Sequence, residues 1–128
     1  SMATIEQVCR IAAEFNGEGQ VELADEWYDA DRARAWRAAG VQHVIVKRSR
    51  DREAAGDLSW KTEDMDRVDE LAAMGFTVTI TGGVSAKDLP AFAGRSVGIV
   101  IAGRAIVGAD DPAAAAKELR EALDEVWS

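Results

Sequence analysis

Two glycine turns, Thr81-Gly82-Gly83 and Ala102-Gly103-Arg104, are the part of this chain best suited to hold an anion. Glycine has no Cβ, so backbone N–H groups at such a turn can come close to a bound oxygen. Each turn directly follows an apolar run, Phe76-Thr77-Val78-Thr79-Ile80 in the first case and Val97-Gly98-Ile99-Val100-Ile101 in the second. Each then leads into a helix-like stretch, and helix starts favour phosphate oxygens. Taken singly, a Gly-Gly only lets the chain turn. Two such loops, the second carrying an arginine, predict a phosphate cup made of Thr81, Gly82, Gly83, Gly103 and Arg104. The N–H groups of Gly83, Gly103 and Arg104 would bind oxygens, and the Arg104 guanidinium could add a charge-assisted contact. Glu22 closes another short strand, as a solvated carboxylate or as a substrate contact.

The elements that must place these residues follow from periodicity. Ile5, Val8, Cys9, Ala12 and Phe15 lie three or four residues apart, which predicts a helix over 3–15 with one apolar face, ended by Asn16-Gly17. A short strand spans 20–23. A helix over 29–39 turns Ala33, Trp36 and Ala39 inward and closes at Gly40. A strand spans 41–46, and residues 48–60 are polar and irregular. Thr62 should cap a helix that closes at Gly75. Ser85, with Asp88 three residues on, should cap the helix after the Gly-Gly turn, and Pro90 should shorten or kink it. Asp111, followed by Pro112, starts a last helix that runs to about Val126. The order is thus one helix and then βα four times. The strand runs show no clean alternation, so they read as parallel strands buried on both faces.

The bulk composition narrows the classes. A chain of 128 residues, 48% hydrophobic and 30% charged, suits one globular domain. Its net charge of −8 disfavours a nucleic-acid surface and an anionic membrane. There is no run of about 18 apolar residues and no signal peptide. Cys9 is the sole cysteine, so no internal disulfide forms. That fits a reducing cytoplasm, and Cys9 reads as a small buried apolar group. Trp27, Trp36, Trp60 and Trp127 read as packing residues rather than base-stacking platforms. Residues 1–2 read as an expression scar and 3–128 as the domain.

Four βα units are half of a (β/α)8 TIM barrel, which needs about 200 residues or more. Barrels hold phosphate after strands 7 and 8, and here the two glycine loops follow the last two strands. The alternative is an independent four-stranded α/β domain. A sequential strand order would favour the half-barrel, and a switch point a doubly wound sheet.

Glu22-Leu23, Ala35-Trp36-Arg37-Ala38-Ala39-Gly40, Arg48-Ser49-Arg50-Asp51, Met74-Gly75-Phe76, Thr79-Ile80-Thr81-Gly82-Gly83 and Ile101-Ala102-Gly103-Arg104 occur in this order. Together they resemble the C-terminal half of the 3-keto-L-gulonate 6-phosphate decarboxylase and hexulose-6-phosphate synthase family, in the orotidine 5′-monophosphate decarboxylase superfamily. The resemblance covers nearly the whole chain. It implies a phosphosugar lyase using a Mg²⁺-stabilised enediolate, in which Glu22 contacts substrate and Arg50 helps position the water or proton donor. Lys47 stands where the family has histidine, a proton donor suited to neutral pH. A lysine, ordinarily titrating near 10.4, would need burial or a cationic neighbour to act alike. The family's Asp-x-Lys-x-x-Asp motif, which carries catalysis and helps bind Mg²⁺, does not occur in this sequence. Lys61-Thr62-Glu63-Asp64 is the nearest mixture and reads as a helix cap. His43 lies at the opposite end of its strand from the active-site end and reads as structural. The expectation is therefore a chain that supplies the phosphate-binding and substrate-orienting half of a site, inactive alone. Its partners would be a phosphorylated sugar or inorganic phosphate, and either a second copy or a complementary N-terminal half. The alternative is a non-catalytic phosphate-binding half-barrel that dimerises into a closed barrel.

Overall fold

In chain order the elements are α1 (Met2–Glu14), β1 (Gln20–Ala24), α2 (Ala30–Ala38), β2 (His43–Lys47), α3 (Thr62–Ala73), β3 (Thr77–Thr81), a 3₁₀ helix (Ala86–Phe92), β4 (Ile99–Val100), α4 (Arg104–Val107) and α5 (Pro112–Val126). They come from a computed structural model that describes residues 1–24, 28–48 and 60–128. The four strands form one parallel sheet in the order β1-β2-β3-β4. That sequential order has no switch point and matches the half-barrel expectation.

Local chemistry explains most boundaries. The Asp29 carboxylate accepts from the N–H groups of Asp31 (2.9 Å) and Arg32 (3.3 Å), satisfying donors that the first turn of α2 leaves open. Asp111 does the same for α5 through the Ala114 N–H at 3.1 Å, with Pro112 first in the helix as expected. At α3 the cap position falls on Lys61, not Thr62, which is the first helical residue. Asp64 closes the turn by accepting from the Lys61 N–H at 2.8 Å, so the Lys61–Asp64 mixture does serve as a helix start. The Ser85 N–H likewise donates to Asp88 at 2.8 Å. The segment that follows is a 3₁₀ helix with Pro90 inside, anchored by the fully buried Leu89 and Phe92.

Side chains alternate across a strand. Leu23, Val44, Val46, Val78 and Ile80 project to one face and are at most 2% exposed. They pack with Ala33 of α2, Met65, Val68 and Leu71 of α3, and Phe92. Trp36, Trp60 and Trp127 pack against this core as expected, whereas Trp27 lies outside the described residues. Trp60 meets Phe92 edge to face at 5.1 Å. Half-buried Tyr28 has its phenol pushed up to about 12, first by burial and then by the Glu70 carboxylate.

The expectation of strands buried on both faces needs correcting. The second face carries Glu22, Ile45, Lys47, Thr77 and Ile99, exposed or half-buried, and Ile99 is 41% exposed. Helices of this chain cover only the first face, so alternation appears in the burial of β2 that the apolar sequence hides. Thr79 is the exception: it is buried, and its hydroxyl accepts from Gln20 Nε2 at 3.2 Å. The apolar face expected of α1 is also only partly used. Ile5 and Cys9 reach the core, while Val8 and Phe15 stay exposed because α1 sits at the rim. His43, at the N-terminal end of β2, is hydrogen-bonded to the Glu18 carboxylate, consistent with its structural reading.

Candidate functional site

The C-terminal ends of β2, β3 and β4 come together through main-chain bonds that continue past the strands. The Arg48 N–H donates to the Thr81 carbonyl at 3.3 Å, and Ile101 N–H to the Ile80 carbonyl at 3.0 Å. The Thr81 hydroxyl donates to the Ile101 carbonyl at 3.4 Å, tying the two glycine turns to each other. Gly82 has φ +102°, and a Cβ there would stand 2.8 Å from the Arg48 backbone nitrogen. Both facts require glycine. Gly83 follows at φ +76° and is exposed. Gly103 is different. Its φ is −111°, and a Cβ would meet nothing within 4 Å. Its carbonyl accepts from the N–H groups of Ile106 (2.9 Å) and Val107 (3.0 Å), starting the single turn of α4.

These ends border a cavity of about 520 Å³ lined by Arg48, Gly83, Ser85, Lys87, Asp88, Arg104 and Ala105. Its size is that of a small-ligand site. Gly83 and Arg104 reach the cavity among the residues expected to bind phosphate. Thr81, Gly82 and Gly103 do not line it; they shape the turns that present the other two. The cavity carries three cationic side chains and one carboxylate. Asp88 accepts from both the Ser85 N–H (2.8 Å) and the Ser85 hydroxyl (3.0 Å). Arg48 is only 3% exposed, and its guanidinium lies 5.8 Å from the centre of the Trp60 ring, within cation–π range.

Glu22 and Lys47 project from β1 and β2 to the open face of the sheet, beside the cavity and not in it. Glu22 is exposed and sits two residues before the end of β1, not at its end; Lys47 is half-buried and is the last residue of β2. Glu22 is in register with Ile45, and Lys47 with Thr81 across β3. Among the described residues neither makes an ion pair. Arg50 lies outside the described residues. Among the described residues no group of three or more His, Cys, Asp or Glu is placed to hold a metal ion, so the Mg²⁺ implied by the resemblance finds no donor set there.

Two further residues of the cavity are missed by sequence reasoning, which treats Arg48 only as a charge near Lys47 and passes over Lys87. Arg48 directly follows β2, at the end of the sheet where the glycine turns sit, and that position is the available signal. Lys87 falls in the first turn after the Gly-Gly loop, but a lone lysine in a polar stretch has no pattern of its own.

Comparison with known proteins places this geometry in a family. Residues 1–119 match the family described as orotidine 5′-phosphate decarboxylase / HUMPS. The 3-keto-L-gulonate-6-phosphate decarboxylase UlaD of Salmonella paratyphi B is 42% identical over 117 residues, 91% of this chain and 53% of that protein. The structure of 3-keto-L-gulonate-6-phosphate decarboxylase from Vibrio cholerae superposes with a TM-score of 0.84 at 40% identity, covering 99% of this chain and 58% of that one. The structure of KGPDC from Streptococcus mutans in complex with D-ribulose 5-phosphate gives a TM-score of 0.92 at 35% identity, covering 100% of this chain and 59% of that one. The chain thus spans about half the length of the curated relatives it matches. No helix among the described residues is long and apolar enough to cross a membrane. With the matched residues spanning almost its whole length, the chain belongs to the orotidine 5′-phosphate decarboxylase / HUMPS family.

Proposed function

We propose that this chain supplies the phosphate-binding and substrate-orienting part of a phosphosugar lyase site of the 3-keto-L-gulonate 6-phosphate decarboxylase type. The observation that carries the reading is the cavity at the ends of β2–β4, where Gly83 and Arg104 meet next to a sheet face bearing Glu22 and Lys47. The phosphate of a sugar would sit against Gly83 and Arg104, and the sugar would extend over the open face toward Glu22 and Lys47. A relative solved with D-ribulose 5-phosphate supports a phosphosugar as the ligand class. Lys47 would hold a cationic N–H donor where the family has an imidazole, and Arg50 would act from the segment that follows.

The metal half of the chemistry has no donor set among the described residues, so no step is assigned to a metal here. The chain alone is expected to bind phosphate and not to turn substrate over. A second copy or a complementary half would cover the open face, and the exposed edges of β1 and β4 support that requirement. Calorimetry with inorganic phosphate and a decarboxylation assay on 3-keto-L-gulonate 6-phosphate with Mg²⁺ test both parts. Phosphate binding without turnover is the expected result. Turnover by the chain alone would overturn its inactivity, and failure to bind phosphate would overturn the reading of the cavity.

A further inference from the structure

We propose that Arg48 and Lys87 join Arg104 in a three-cation collar that makes the cavity selective for a phosphate monoester in its dianionic form. The inference rests on the phosphate reading and deepens it. The three side chains come from separate places in the fold: the end of β2, the 3₁₀ helix and the first turn of α4. All three line one cavity. Arg48 is nine-tenths or more buried there, its backbone pressed against the glycine turn at Gly82 and its guanidinium near Trp60. Packing on both sides fixes the position of that charge before a ligand arrives, which lowers the ordering cost of binding. Lys87 is exposed and, among the described residues, makes no ion pair.

The local charge fits the ligand. Three cations and the Asp88 carboxylate leave two positive charges around the cavity, and a phosphate monoester carries about −1.5 to −2 at pH 7. Asp88 is turned to the Ser85 N–H and hydroxyl, which reduces its repulsion of an incoming anion. Lys87 also borders a smaller cavity of about 300 Å³ that Glu118 lines, so a carboxylate lies within the lysine's neighbourhood when the cup is empty. A phosphate dianion would compete with it for the ammonium group.

Titration of the full chain with glycerol 3-phosphate across pH 5 to 7.5 tests the collar, because the second phosphate ionisation falls near pH 6. The unaltered chain should bind roughly fivefold or more tightly at the upper end of that range. Lys87→Met should weaken binding at pH 7.5 by roughly three- to tenfold and flatten the pH dependence, while Lys87→Arg should keep both. Arg48→Met should cost at least as much. Because Arg48 is buried and its loss could harm folding, the exposed Lys87 variants decide the matter. Lys87→Met binding as tightly as the unaltered chain at pH 7.5 would overturn the collar and leave the cup standing. No binding by the unaltered chain would overturn the phosphate reading and the collar with it.

Discussion

At the scale of single residues, Gly82 carries the tightest constraint at the candidate site. Its positive φ and the 2.8 Å approach to the Arg48 nitrogen oppose any side chain. Gly82→Ala should therefore destabilise the chain by about 1–3 kcal/mol, the usual strain of a non-glycine residue held in such a conformation. Because the turn also sets Gly83 against the cavity, phosphate affinity should fall in the same variant. Urea unfolding followed by phosphate titration reads both, and an alanine variant of unchanged midpoint would refute the constraint. Gly103→Ala is the useful contrast, since a Cβ there meets open space. Sequence reasoning treats the two glycines alike, because a Gly after a strand looks the same whether its neighbours crowd it or not. What separates them is Arg48, which reaches Gly82 only through the pairing of β2 with β3. Arg104 is legible because it sits inside a motif, whereas Lys87 becomes a site residue only once the 3₁₀ helix and α4 face the same cavity.

At the scale of elements, one clamp holds the approach to β4. Arg95 Nη1 donates to Asp69 at 2.8 Å and to Asp66 at 3.0 Å, both on α3. The Ser96 N–H donates to the other Asp69 oxygen at 3.0 Å, and Trp127 at the end of α5 donates its indole N–H to the Arg95 carbonyl at 3.1 Å. The hydrogen bond from Arg95, followed by that from Ser96, holds the Asp69 carboxyl below its ordinary value. A carboxyl lowered in the folded state stabilises above its unfolded pKa, about 3.9, and that contribution is lost as pH falls through the lower folded value. Asp69→Asn should therefore lower the urea midpoint at pH 7, and the gap from the unaltered chain should shrink steadily below about pH 4. A gap that stays constant on acidification would refute the role of the charge. None of this clamp is visible in the sequence, where Arg95 is a lone charge between apolar runs. The elements it joins are visible: β1, β2, β3, α2 and α5 all lie within a few residues of their expected places. β4 is expected over 97–101 but spans only Ile99–Val100, since the apolar run there outlasts its pairing with β3. The single turn of α4 escapes notice because Gly103 supplies no capping side chain.

At the scale of the whole molecule, β1 and β4 are edges, and the face carrying Glu22, Lys47, Ile99 and Ile101 has no cover among the described residues. Beside β4 runs a groove of about 360 Å³ lined by Val97–Val100 and by Arg120, Leu123, Asp124 and Trp127 of the C-terminal region. Unpaired strand edges next to apolar surface favour association. A chain of 13.7 kDa is therefore expected to show about twice that mass or more in light scattering at micromolar concentration. A clean monomer would refute the expectation. The half-barrel architecture is legible because glycine turns recur after successive strands. The open face is not, because Val, Ile and Thr occupy covered and uncovered positions alike along β2 and β3.

The sequential strand order also bears on how the molecule comes to be folded. Gln20 pairs with His43, His43 with Thr77, and Thr79 with Ile99, so every strand joins the one made just before it. Each pairing closes a loop of only one βα unit, and loop-closure entropy grows slowly at such lengths. Folding can then proceed by accretion from the N-terminal side, with no strand waiting for a distant one to be found. The phosphate cavity, built from the last three strand ends, is the last part to acquire its shape. Until it does, Arg48 and the two glycine turns are ordinary stretches of chain.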